Sequence, residues 1–121
     1  MEKNEPTYAN GKICYIEIPS VDINVSATFY EKCFGWQIRH RDNGEVSFDD
    51  TVGQVSGMWV TNRKAATEIG FVISIMVDDI TASMNLVKAN GGKIIKQDID
   101  GQEKTAWFND PTGNVFGLYQ Q

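Results

Sequence analysis

Several residue types that carry chemistry are scarce in these 121 residues. There is one histidine, His40, and there are two cysteines, Cys14 and Cys33. Two unpatterned cysteines make neither a disulfide framework nor a zinc site, so both read as reduced thiols packed as small hydrophobes. No stretch approaches the roughly 18 apolar residues of a membrane span. Residues 1–11 are polar and lack the apolar core of a signal peptide, which places the chain in the cytoplasm as an expectation. Basic residues number 11 against 16 acidic ones, for a net charge of −5. The basic residues are scattered, which argues against a nucleic-acid surface. Their only run, Arg39, His40 and Arg41, is followed by Asp42 and Glu45 and reads as the solvated end of a strand. A Gly-rich phosphate loop and a serine-nucleophile motif are both absent. No charge pattern near Cys33 favours its thiolate.

What the chain does have is an internal repeat. At an offset of 57, Ile16 meets Ile73, Ile18 meets Ile75, Asp22 meets Asp79, Ser26 meets Ser83 and Gly35 meets Gly92. Further along the offset becomes 60, and Phe48 meets Phe108, Asp50 meets Asp110, Gly53 meets Gly113, Gly57 meets Gly117 and Trp59 meets Tyr119. Each copy reads as strand, helix and three strands. Strands are expected at 13–18 and 71–77, where short β-branched runs occur. Helices follow at 23–32 and 80–89, with Asp22 and Asp78 or Asp79 as N-caps and Gly35 and Gly91-Gly92 as terminators. Further strands are expected at 36–41, 46–48 and 55–60, and at 93–99, 105–108 and 115–119. Asn43-Gly44 and Asp100-Gly101 mark the hairpins. One such unit cannot bury its apolar face alone. The expected fold is α+β: two βαβββ repeats, about 12–60 and 70–120, forming a curved eight-stranded sheet around a cleft. Residues 12–121 then form one domain behind a polar tail at 1–11, with both helices covering the outside.

The segment Ile13-Cys14-Tyr15-Ile16-Glu17-Ile18-Pro19, followed by Phe29-Tyr30 and Phe34-Gly35-Trp36, resembles the first unit of the vicinal oxygen chelate superfamily. Asp110-Pro111-Thr112-Gly113-Asn114 before Val115-Phe116-Gly117-Leu118 resembles its closing signature. This is the glyoxalase, bleomycin-resistance and extradiol-dioxygenase group, whose activities run from lyases and dioxygenases to plain binding proteins, so the resemblance is specific for fold and weak for function. It implies a metal held in the cleft by His and Glu from both units. The first ligand position falls on Tyr15, two residues before Glu17, and the last on Gly117, seven after Asp110. The repeat extends the set to Val72 and Gly57. Divalent metals take imidazole, carboxylate or thiolate donors, and these four positions offer none. No metal or other cofactor is therefore expected.

Strand alternation from these positions places Tyr15, Glu17, Val55, Gly57, Trp59, Val72, Ser74, Gly117 and Tyr119 as the cleft lining. That lining suits a flat or partly apolar small molecule oriented by a few hydrogen bonds. Two inward glycines are expected to leave space for it. Glu17 is the sharpest catalytic candidate, as a general base raised by burial, or else a structural carboxylate paired with a cation or a hydroxyl. Trp59 reads either as a ligand-stacking ring or as core. Two functions stay open: a metal-free binding module for a small organic molecule, and a lyase or isomerase of glyoxalase type using Glu17 as general base, either metal-free or metal-dependent through a different alignment of the ligand positions. Among two-unit relatives homodimers are common, and the apolar helices allow one.

Overall fold

The computed structural model describes residues 5–10, 12–67 and 72–121. Phe71, at the start of one expected strand, and residues 1–4 and 11 of the expected tail lie outside the described residues. The first unit runs β1 (Tyr15–Pro19), α1 (Ile23–Phe34), β2 (Gln37–His40), β3 (Val46–Asp49) and β4 (Ser56–Val60). The second runs β5 (Ser74–Met76), α2 (Ile80–Ala89), β6 (Lys93–Asp98), β7 (Lys104–Asn109) and β8 (Val115–Gln120). Both helices start where a carboxylate accepts an orphan amide: Asp22 Oδ1 from Val25 N at 3.2 Å, and Asp79 Oδ1 from Ala82 N at 3.1 Å. Gly35 ends α1 at φ 75°, a left-handed conformation in which its amide reaches back to the carbonyls of Glu31 and Tyr30.

The eight strands divide into two four-stranded sheets of identical order, β1-β4-β3-β2 and β5-β8-β7-β6. In each, the first strand pairs parallel with the fourth because the helix crosses between them, and the hairpins supply the antiparallel pairs. No strand of one sheet approaches a strand of the other among the described residues. The units are joined instead through helices and side chains.

At that junction each helix covers one face of its own sheet, with its far side exposed, and the two helices meet. α1 packs on its own sheet and on α2. It also reaches into the second unit, where the Phe29 and Phe108 rings lie 5.9 Å apart and Tyr30 and Phe116 5.5 Å apart. The physical reason is apolar area. Phe29 and Tyr30 are fully buried, and one four-stranded sheet cannot enclose them together with Trp36, Phe48 and Trp59. One core results, containing residues of both units. Among the described residues no layer covers the other face of each sheet, and Tyr15 and Met76 stand 51% and 75% exposed there.

Candidate functional site

Strand register decides which side chains share a face, and it begins at two corresponding turns. In the second unit, Asp110 N donates to Asn114 O at 2.8 Å and Gly113 N to Asp110 O at 3.0 Å. In the first, Gly53 N donates to Asp50 O at 2.9 Å, but Asp50 N reaches Val55 O at 2.8 Å. The turn at 50–55 thus holds one residue more than the turn at 110–114. Beyond it the structural offset drops to 59: Ser20 N bonds Val60 O just as Val77 N bonds Tyr119 O. Gly57 therefore corresponds to Phe116, Met58 to Gly117, and Trp59 to Leu118.

This one-residue difference reverses a face. On sheet one, Ile16, Gly57, Phe48 and Ile38 form one cross-strand row, with Ile18 and Trp59 in the next, and this face points into the core. Tyr15 lies in a row with Ser56, Asp49 and Gln37, and Glu17 in a row with Met58, Ser47 and Arg39, on the opposite face. The expectation that Tyr15 and Glu17 share a face with Gly57 and Trp59 is corrected by this register. Trp59 is 1% exposed, and its ring centroid lies 4.8 Å from that of Phe48. Gly57 opens no space: a Cβ there would fall on the Ile16 carbonyl oxygen and 2.5 Å from Phe48 Cζ.

On sheet two, Ser74, Gly117, Trp107 and Lys96 form an outer row, and Met76, Tyr119 and Thr105 the next. Val72 joins them, since a Cβ on Gly117 would meet Ser74 Oγ at 2.7 Å and Val72 Cγ1 at 3.2 Å. Here too neighbouring side chains take up the room a glycine leaves. Tyr119 donates to the Glu103 carboxylate, a hydrogen bond that raises its phenol pKa above the ordinary value. Glu17 is ion-paired with Arg63, and both side chains are substantially exposed. The outer face of sheet one also carries polar groups that the sequence reading did not single out. Asp49 is buried, bonded to Ser56 Oγ at 2.7 Å and paired with Arg39 at 3.2 Å, and the buried Ser47 hydroxyl has no hydrogen-bond partner among the described residues. Alternation from Glu17 across the correct register would have found them.

The family-implied metal positions are accordingly Tyr15, Met58, Val72 and Gly117. A phenol, a thioether, an isopropyl group and a bare backbone do not fit a divalent cation. No group of three or more His, Cys, Asp or Glu that could hold one occurs among the described residues.

Where the two units face each other around the edge of β5, the packing is incomplete. A cavity of about 660 Å³ opens between them. Ile16, Trp36, Phe48 and Val55 wall it from the first unit, with Cys33 and Phe34 of α1, while Ile73, Ile75, Phe116 and Leu86 wall it from the second. Asp50, Thr51, Asp78, Asp79 and Ser83 border it as well. Of the residues expected to line a cleft, Val55 and Ser74 border this cavity; the others lie in the core or on the outer sheet faces. Cys33 is buried here, its thiol donating to Leu86 O at 3.5 Å, and burial pushes its pKa up to about 11. A thiol so protonated is a wall and not a nucleophile.

Residues 12–118 match the model of the "Glyoxalase/Bleomycin resistance protein/Dioxygenase superfamily". A glyoxylase-like domain-containing protein of Didymella fabae is 29% identical over 119 residues, covering 90% of this chain and 93% of that one. A probable lactoylglutathione lyase of Vibrio parahaemolyticus is 28% identical over 127 residues, covering 93% and 92%. A glyoxalase/bleomycin resistance protein/dioxygenase family enzyme from Burkholderia phytofirmans superposes with a TM-score of 0.73 at 21% identity, covering 88% of this chain and 95% of its own. The paired βαβββ units, the closing turn at 110–114 and a family match spanning nearly the whole length agree, and the chain belongs to the glyoxalase/bleomycin resistance protein/dioxygenase superfamily.

Proposed function

We propose that this protein binds a small, partly apolar or aromatic organic molecule between its two repeats, without a metal. The observation that carries the reading is the cavity of about 660 Å³, walled by Trp36, Phe34, Phe48, Phe116 and aliphatic side chains. Its size falls in the range of pockets that hold drug-sized ligands, and apolar side chains make up most of its lining. The ligand-free metal positions support the second half of the reading on side-chain chemistry.

The test is a thermal-shift screen of aromatic and heteroaromatic metabolites on the full chain, repeated on Ala82→Trp. Ala82 borders the cavity from the exposed side of α2, so an indole there closes the space without touching the core. A ligand at about 100 times its Kd adds roughly 2.7 kcal/mol to stability. Stabilisers that act on the parent and not on Ala82→Trp are expected; a screen with none defeats the reading. Metal analysis of protein purified without chelators should find substoichiometric zinc, nickel, manganese and iron, and one equivalent of any of these would overturn the metal-free half.

The same reading has the protein working as a homodimer in the cytoplasm. Support for the dimer comes from the outer sheet faces, where Tyr15 and Met76 are exposed, and from the edges of β1 and β5, which no further strand pairs among the described residues. Light scattering should give twice the chain mass. Both cysteines are free thiols, as suits a reducing compartment.

A further inference from the structure

Each unit ties the segment before its first strand to the turn before its last, but the two ties differ in kind. In the second unit Ala66 N donates to Asn114 Oδ1 at 2.8 Å, and Val115 N to Ala66 O at 2.9 Å. Asn114 is buried, and its amide also donates to Pro19 O and Asp110 Oδ2, so that tie is braced from three sides. In the first unit, the hydrogen bonds from residues 5–12 to the body of the protein all end on Gln54 among the described residues. Its Oε1 accepts from Thr7 N at 3.0 Å, its Nε2 donates to Glu5 O at 3.3 Å, and its carbonyl accepts from Lys12 Nζ at 2.5 Å. The two bonds to its side chain are exposed to water, and Tyr8, between the anchors, is 88% exposed. Little apolar burial holds this segment down.

The loosely tied turn is the one at the cavity. Asp50, Thr51, Val52 and Val55 border it, and no residue of 110–114 does. From this asymmetry we propose that residues 5–12 are a latch and the 50–55 turn a gate: when the latch releases Gln54, the turn moves off the cavity and the ligand enters or leaves. The proposal rests on the cavity-binding reading and adds the route of exchange to it. Segments held by exposed hydrogen bonds and few apolar contacts open at far lower cost than the whole fold. Within the turn, Asp50 Oδ1 accepts from Gln54 N and Val55 N, so the turn moves as one piece. The facing walls stay in place, since Trp36, Phe48 and Phe116 belong to the core and Leu86 to α2.

The test follows the fluorescence of N-phenyl-1-naphthylamine, a neutral apolar probe, by stopped flow on the full chain and on two variants that cut the latch from opposite sides. Gln54→Ala removes the side chain that holds Glu5 and Thr7, and Lys12→Met removes the ammonium that holds the Gln54 carbonyl. Each should raise the association and dissociation rates together by about fivefold and leave the affinity within about twofold. Ala82→Trp should abolish binding, which places the probe in the cavity. By hydrogen exchange, the Gly53 and Val55 amides should exchange about tenfold faster in both variants, with those of Asn114 and Val115 unchanged. Melting temperatures should stay within about 3 °C of the parent. Unchanged rates in both variants, with binding still lost in Ala82→Trp, would overturn the latch and leave the cavity reading standing. Faster dissociation alone would also overturn it, because the tail would then be a support for the wall and not a gate. A large fall in melting temperature with faster exchange in both units would do the same, by showing that the whole fold has loosened. No probe binding to the parent would defeat the cavity reading and the latch with it.

Discussion

Tyr30 Oη donates a 2.9 Å hydrogen bond to Asp110 Oδ2 across 80 residues of sequence, and the whole contact is buried. The donor belongs to the helix of one unit and the acceptor to the turn of the other. Asp110 also accepts from Asn114 N at 2.9 Å and Thr112 N at 3.1 Å, while Asn114 Nδ2 reaches across to Pro19 O at 2.6 Å. One turn thus organises its own hairpin and fastens the two repeats together.

Tyr30→Phe removes that fastening and nothing else of size. The ring keeps its stack on Trp36, with centroids 4.5 Å apart, while Asp110 loses one donor in a buried setting. The expected cost is about 1–2 kcal/mol, read as a lower urea midpoint with an unchanged slope. A variant as stable as the parent would show that the contact does not join the units energetically.

The two inferred cleft glycines should respond differently to one methyl group. Gly57→Ala drives Cβ against a backbone carbonyl and a core ring, neither of which has room to yield, so a loss of about 3 kcal/mol or more is expected. Gly117→Ala meets first the Ser74 hydroxyl, the end of an exposed side chain on an edge strand. Its cost should stay below about 1.5 kcal/mol. Thermal melts of the pair decide the matter; equal losses would contradict the register that puts Gly57 on the core side.

Alkaline pH should weaken the fold. Burial raises the Cys33 thiol from its ordinary 9 to about 11, and burial followed by the Asp110 charge raises the Tyr30 phenol well above 10. Both groups hold their protons more tightly in the folded state. Their contribution is complete below pH 9 and is lost as pH rises, for Cys33 between 9 and about 11 and for Tyr30 above 10. Melting temperatures should fall across that range, and Cys33→Ala should flatten the portion between pH 9 and 11. At pH 8, iodoacetamide should label the exposed Cys14 far faster than the buried Cys33.

Glu17 offers a test of the catalytic alternative. It pairs with Arg63 at the surface, an arrangement worth at most about 1 kcal/mol to stability. Glu17→Gln should leave stability within about 0.5 kcal/mol and leave cavity ligands bound as before. Chelator-resistant activity on a hemithioacetal that vanished in this variant would establish Glu17 as a general base and displace the binding reading.

Caps, periodicities and duplication were legible in the residues themselves. Asp22 and Asp79 before apolar helices, Gly35 after one of them, and Asn43-Gly44 in a hairpin are local choices that act over a few bonds, and each element formed within a few residues of where those signals put it. The absence of metal donors at Tyr15, Val72 and Gly117 is likewise a property of the sequence.

Which face each β4 side chain takes was not legible. Matching Gly57 with Gly117 and Trp59 with Tyr119 preserves residue type, so it conceals the additional residue in the turn at 50–55. Only the hydrogen bonds that Asp50 Oδ1 accepts from Gln54 N and Val55 N, and the one Asp50 N donates to Val55 O, reveal where that residue is absorbed. Because a strand alternates with a period of two, absorbing it in the turn sends Trp59 and Gly57 to the core and brings Met58 to the outer face. The cavity is likewise a tertiary product. It arises because bulky rings of both units share one core that does not close between α1 and β5, a consequence of long-range packing that no local pattern encodes.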